Sequence, residues 1–219
     1  MNTSPHSSQI LIYGRINGII TELMHMQNST PCLSVVMPCN NEEGTIRKCV
    51  DAVMSNPWVG HLVIVDDGST EKTRQILEQI TSSRVKVIMQ EKNGGKGSAL
   101  RTGLRSATQE YVVVQDADLE YGPSEYLRLL TPLLENKADV VFGSRFKGSD
   151  AHRVLNYWHS VGNKFLTQIS NMFTNLNLTD MEMCYKCFRG EVIQGIELPE
   201  NRFGIEPELT GEIASGKTI

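Results

Sequence analysis

The chain has 219 residues, 40% of them hydrophobic and 21% charged, with a formal charge of −4. That length and balance suit one α/β domain with a sizeable core. The acidic balance excludes a general nucleic-acid binder, whose phosphate contacts need a dense basic surface. No apolar run approaches the roughly 20 residues needed to span a bilayer. The first nine residues are polar and carry no Lys or Arg, unlike a secretory leader. The expected location is therefore cytoplasmic, in solution or at the periphery of a membrane.

Residues 1–31 read as a flexible N-terminal extension rich in Ser, Thr and Asn, with short apolar patches at Ile10 to Tyr13 and at Ile19 and Ile20. From Leu33 the texture changes. Leu33 to Met37 is a short apolar run ended by Pro38, which predicts a buried strand. Ile46, Cys49, Val50, Val53 and Met54 recur at helical spacing. Leu62 to Val65 is a second strand, stopped by Asp66-Asp67-Gly68, with Ser69 or Thr70 as the cap of a helix carrying Ile76, Leu77 and Ile80. Val85 to Met89 is a third strand. A third helix follows Asn93-Gly94-Gly95 and buries Ala99, Leu100, Gly103, Leu104 and Ala107. Tyr111 to Gln115 and Val140 to Phe142 complete five strands. The helix between them, with Leu127 and Leu130, is expected to kink or stop at Pro132. Strands alternating with helices imply right-handed crossovers and a largely parallel sheet covered on both faces.

In such sheets ligands bind beyond the carboxyl ends of the strands. The loops at 38–43, 66–70, 92–97 and 116–122 hold the unusual chemistry. Asp116-Ala117-Asp118 ends a buried strand, and two carboxylates there are costly unless a cation offsets them. Hard oxygen ligands suit Mg²⁺ or Mn²⁺ shared with substrate phosphates. Glu120 adds a further carboxylate. A solvated acidic turn is the bland alternative. Asp66 and Asp67 can accept hydrogen bonds from a ribose or a base, though a helix cap and turn also explain them. Asn93-Gly-Gly-Lys-Gly-Ser98 lets the backbone approach a ligand, while Lys96 and a helix N-terminus attract anions.

The segments Met37 to Glu43, Val63 to Thr70, Asn93 to Leu100, Gln115 to Glu120 and Val141 to Arg145 stand in the order found in family 2 glycosyltransferases. The chain resembles most the branch of dolichyl- or polyprenyl-phosphate sugar (mannose or glucose) synthases. Thr179 to Lys186 and Arg202 to Glu208 also resemble segments of that branch, so the likeness runs from about residue 33 to the end.

The resemblance implies a GT-A fold over residues 32–219, a nucleotide-sugar donor (UDP- or GDP-sugar), a divalent metal and inversion at the anomeric carbon. By position, Pro38, Asn40, Glu42, Asp67 and Asp66 would hold base and ribose. Asp116 and Asp118 would serve metal and diphosphate, with Glu120 as a further metal ligand. Lys96 would lie near the nucleotide and Arg145 near the phosphates. Asp180 matches the position of a catalytic base, with Glu182 nearby. A lipid phosphate acceptor is already anionic and needs no strong base, which leaves orientation of acceptor or sugar as the alternative role of Asp180. Peripheral membrane contact goes with such an acceptor.

Two departures stand out. Asn40 replaces the usual Tyr of the first motif and cannot stack on a base. The family usually continues past the position of Ile219 with another strand and a basic loop, so the chain reads as truncated at its C-terminus.

Other motifs carry less. Cys32, Cys39, Cys49, Cys184 and Cys187 are an odd set read as reduced thiols, and Cys184-x-x-Cys187 lacks the second ligand pair of a zinc site. Gly211 to Thr218 matches a phosphate-loop pattern without the strand and helix it needs. Val154 to Phe173 has the spacing of an amphipathic helix, with core packing favoured over contact with a bilayer surface. A saccharide acceptor, a nucleotidyltransferase and a non-catalytic nucleotide-binding fragment are the competing readings. The nucleotidyltransferase is disfavoured because Cys39 to Glu43 replaces its glycine-rich basic signature.

Overall fold

A computed structural model describes residues 10–12, 30–118, 122–143, 157–174, 177–178, 185–196, 198–201 and 204–215. Seven strands form one sheet in the order β1-β6-β7-β5-β2-β3-β4. They are β1 (Ile10–Ile12), β2 (Leu33–Cys39), β3 (Val59–Asp66), β4 (Val85–Met89), β5 (Tyr111–Val114), β6 (Val140–Phe142) and β7 (Lys186–Arg189). Every pairing is parallel except those of β7, which runs antiparallel to both β5 and β6. The helices are α1 (Ile46–Met54), α2 (Thr73–Glu78), α3 (Lys96–Ser106), α4 (Tyr126–Leu134), α5 (Tyr157–Thr174), α6 (Gly190–Gln194) and α7 (Ile205–Ser215).

Alternate residues of the central strands feed two apolar layers, which is why β2 and β5 read as unbroken apolar runs. Val35, Met37 and Val113 pack with Ile46, Cys49 and Leu130 on one face. Val36, Val112 and Val114 pack with Leu100, Leu104, Phe188, Ile205 and Leu209 on the other. The mostly parallel α/β sheet expected from the sequence is present.

Several boundaries differ for physical reasons. Pro38 does not end β2, which continues to Cys39. The pairing of β2 with β5 stops at Val36, so Pro38 sits beside an open flank where its missing N–H breaks no ladder on that side. Pro132 lies inside α4, two residues before its end. Ser69 and Thr70 do not cap α2, which starts at Thr73. They are tied to Asn41 instead. Four elements have no counterpart in the sequence pattern: the strands β7 and β1, the latter from an apolar patch of the N-terminal stretch and paired with β6, and the helices α6 and α7.

Core packing, the favoured reading of the α5 stripe, does not hold for its C-terminal part, from Phe165 onward. Phe165, Leu166, Ile169, Met172 and Phe173 are all exposed, Phe173 at 87%. The buried positions include Asn163 and Thr167, joined by a hydrogen bond of 3.2 Å. Spacing located the stripe but could not say which way it faces. No helix among the described residues is long and apolar enough to cross a membrane.

Candidate active site

Register places the carboxyl ends of four parallel strands side by side. Cys39 pairs with Asp66, Asp66 with Met89 and Val36 with Val114. The loops leaving this edge are fastened to one another. Asn40 Nδ2 donates to the Asp67 carbonyl at 2.6 Å, and the Asn41 N–H donates to Ser69 Oγ at 2.9 Å. The Glu42 N–H donates to Thr73 Oγ1 at 2.9 Å, while the Thr70 N–H donates to Asn41 Oδ1 at 2.9 Å. Asn41 has φ of 60°, a left-handed conformation that Asn tolerates better than most residues. The half-buried Glu42 accepts from Thr45 Oγ1 at 2.7 Å.

Asp66 and Asp67 are both buried, at 0% and 4% exposure, and do different work. Asp66 Oδ2 accepts from Arg74 Nε at 2.7 Å and from the Ser69 N–H at 3.3 Å. Asp66 Oδ1 is buried and has no hydrogen-bond partner among the described residues. Asp67 braces the glycine loop: its Oδ1 accepts from the Gly94 N–H at 2.7 Å and its Oδ2 from the Gly95 N–H at 2.8 Å. Gly68 makes this approach possible. Its φ is +73°, and a Cβ there would lie 2.4 Å from the Asn93 nitrogen. The glycine loop does bring its backbone close to a partner, but the partner in this structure is Asp67. Two of the loop's N–H groups point into that carboxylate, and the Ser98 N–H donates to the Asn201 carbonyl at 3.2 Å.

The Asp116 loop is held from beneath. Tyr126 donates its hydroxyl to the buried Gln115 Oε1, and the buried Cys49 thiol lies 3.1 Å from the Ala117 carbonyl. Lys96, the first residue of α3, reaches Asp116, with Nζ 3.0 Å from Oδ1 and 3.1 Å from Oδ2. Lys96 Nζ is also 3.7 Å from Glu206 Oε1, and Glu206 Oε2 is bonded to the buried Lys186. Asp116 is half-buried and Asp118 exposed.

Pro38, Asn40, Glu42, Asp66, Asp67, Lys96, Asp116 and Asp118 thus all sit at or beyond one edge of the sheet. Glu120, Arg145, Asp180, Glu182 and Cys184 lie outside the described residues. Lys186 and Glu206 carried no assigned role in the sequence, although each falls in a segment that resembles the family. Among the described residues no three metal-capable side chains cluster. The two carboxylates after β5 nevertheless fit a hard cation, since Asp116 already holds an ammonium between its oxygens.

Other motifs resolve simply. Gly211 to Ser215 of the phosphate-loop pattern lie in α7, and Gly216 to Thr218 lie outside the described residues. Burial, reinforced by nearby carboxylates, raises the Cys32 thiol to about 11 and the Cys39 thiol to about 12. Burial raises the Cys187 thiol as well.

Residues 34–196 match the sequence profile of glycosyl transferase family 2. The chain belongs to that family. Among the relatives of this family 2 member, the low-salt glycan biosynthesis hexosyltransferase Agl6 of Haloferax volcanii is 30% identical over 162 residues. That match covers 72% of this chain and 38% of the relative. The dolichol-phosphate mannosyltransferase of Pyrococcus furiosus is 27% identical over 183 residues, 81% of this chain and 51% of that protein. The UDP-N-acetylglucosamine–dolichyl-phosphate N-acetylglucosaminyltransferase of Methanococcus voltae is 26% identical, with 70% and 68% covered. The chain therefore spans about a third to two thirds of the length of these relatives. In fold it is similar to glucosyl-3-phosphoglycerate synthase from Mycobacterium tuberculosis, crystallised with Mn²⁺, UDP-glucose and phosphoglyceric acid. That likeness has a TM-score of 0.68 at 20% identity and covers 93% of this chain and 74% of the other.

Proposed function

We propose that this family 2 domain transfers a sugar, with inversion, from a UDP- or GDP-sugar to a polyprenyl or dolichyl phosphate. The observation that carries the donor half is the meeting of Asp67, the glycine loop, Lys96 and Asp116 at the carboxyl edge of the sheet. The acceptor half draws support from the two relatives named for dolichyl-phosphate transfer. In this reading Pro38, Asn40, Glu42, Asp66 and Asp67 receive base and ribose, and the unpartnered Asp66 Oδ1 is an acceptor able to take a base or ribose donor. Lys96 and Arg145 face the phosphates. Asp116 and Asp118, with Glu120, would hold Mg²⁺ or Mn²⁺, which when bound supplies positive charge for the departing diphosphate. Asp180 orients the acceptor or sugar, or takes its proton.

A lipid phosphate would approach from a membrane surface, at the cytoplasmic face. The exposed Phe165, Leu166, Ile169, Met172 and Phe173 of α5 give that surface an apolar contact. Against this stands a saccharide acceptor, favoured by the relative named for glycan biosynthesis.

Calorimetric titration of UDP, GDP and dTDP, each with and without Mn²⁺, tests the donor site. Metal-dependent binding of one of them is expected, and Asp118→Ala should abolish the metal dependence. Binding of none, or an Asp118→Ala variant indistinguishable from wild type, refutes the donor assignment. With the nucleotide known, transfer of labelled sugar to polyprenyl phosphate in vesicles, but not to soluble saccharides, is the expected acceptor result. The reverse preference selects the saccharide reading.

A further inference from the structure

Lys186 is an unusual residue for the first position of a core strand. Because β7 runs antiparallel, Lys186 sits opposite Val114 and Phe142, at the same edge where β5 delivers Asp116. It is 1% exposed, with its ammonium 5.7 Å from the Phe142 ring centroid and bonded to Glu206 Oε2. Glu206, in the first turn of α7, is 9% exposed. Its other oxygen lies 3.7 Å from Lys96 Nζ, which is 3.0 Å from Asp116 Oδ1. Charges therefore alternate from the core to the surface: Lys186, Glu206, Lys96, Asp116.

A buried ion pair costs desolvation that apolar residues of similar size would avoid, so packing alone does not explain this one. Its position does. An ammonium within 3.1 Å of both Asp116 oxygens and a divalent cation on those same oxygens exclude each other by like charge. Lys96 must yield Asp116 when the cation arrives. An anion fixed by Lys186 already stands within reach of it.

We propose that Glu206 is a positioning residue: it is the berth onto which Lys96 moves when a divalent cation takes Asp116. The ammonium then stays beside the diphosphate instead of swinging into solvent. This rests on the assignment of Asp116 to the metal.

The test reads Mn²⁺ affinity without nucleotide, by electron paramagnetic resonance of the free ion. Four proteins form a cycle: wild type, Lys96→Met, the charge-neutral pair Lys186→Met with Glu206→Gln, and the triple variant. Lys96→Met should bind Mn²⁺ roughly tenfold more tightly, because no ammonium has to be displaced. The paired variant should bind roughly tenfold more weakly, because it removes the carboxylate 3.7 Å from Lys96. In the Lys96→Met background the same pair should weaken binding by at most about threefold. Equal weakening with and without Lys96, or an unchanged affinity in Lys96→Met, overturns the proposal. Wild type that binds no Mn²⁺ refutes the metal assignment at Asp116, and this inference falls with it. Should the pair fail to fold, Glu206→Asp keeps both charges and withdraws the carboxylate by one methylene. It should weaken Mn²⁺ binding only where Lys96 is present, and an unchanged affinity counts against the berth.

Discussion

Replacing Asp67 by Asn separates two jobs that one carboxylate could have. In the free protein the buried side chain accepts the Gly94 and Gly95 N–H groups at 2.7 and 2.8 Å. An amide has one oxygen, so one of these bonds survives without its charge and the other becomes a donor facing a donor. Hydrogen bonds to a charged group contribute about 1.5–3 kcal/mol each, and an unsatisfied buried donor adds a penalty of similar size. A net loss of about 3 kcal/mol follows, or roughly 6–12 °C in Tm for a chain of this size. Thermal unfolding without nucleotide, wild type beside Asp67→Asn, measures it directly. A Tm within about 1 °C of wild type would refute the brace. If nucleotide binding were then still lost, Asp67 would act on the ligand alone.

Two other perturbations follow from the same geometry. A Cβ on Gly97 would lie 2.4 Å from the Glu200 carbonyl oxygen, so Gly97→Ala must push the 198–201 segment off α3. It should cost about 1–3 kcal/mol in denaturant unfolding and weaken nucleotide binding through Lys96. The second concerns alkali. Cys32 and Cys39 rise from 9.0 to about 11 and about 12, and Tyr111 from 10.0 to about 12, each chiefly through burial. The unfolded chain releases these protons first, so above about pH 9 the folded state binds more protons and stability falls as pH rises. Each group contributes a slope of at most about 1.4 kcal/mol per pH unit. Tm should hold between about pH 7 and 8.5 and drop beyond about pH 9; a flat profile to about pH 11 contradicts the burial of these groups.

The sheet was legible because its strands are buried on both faces and therefore read as apolar runs, each closed by polar loop chemistry. Val85–Met89 and Val140–Phe142 are found where the runs place them. The carboxylates Asp66, Asp67, Asp116 and Asp118 are legible for the same reason, each following such a run. What the pattern hides is direction. The Lys186–Arg189 strand carries Lys and Arg at its ends, so no apolar run marks it, and nothing local says that it lies antiparallel. The stripe on α5 has the spacing of a core helix, yet period alone does not distinguish a face turned inward from one turned outward.

The missed residues explain how the edge works. A parallel sheet brings strand C-termini to its carboxyl edge, and in this chain those ends bring acids. Among the described residues a buried cation reaches the edge from the sheet because β7 is reversed and presents its N-terminal Lys186 beside Val114. That reversal lets a core lysine hold Glu206, and Glu206 in turn contacts Lys96 at the mouth of the site. Strand direction, which the residue pattern does not encode, is what links the interior of the sheet to Asp116.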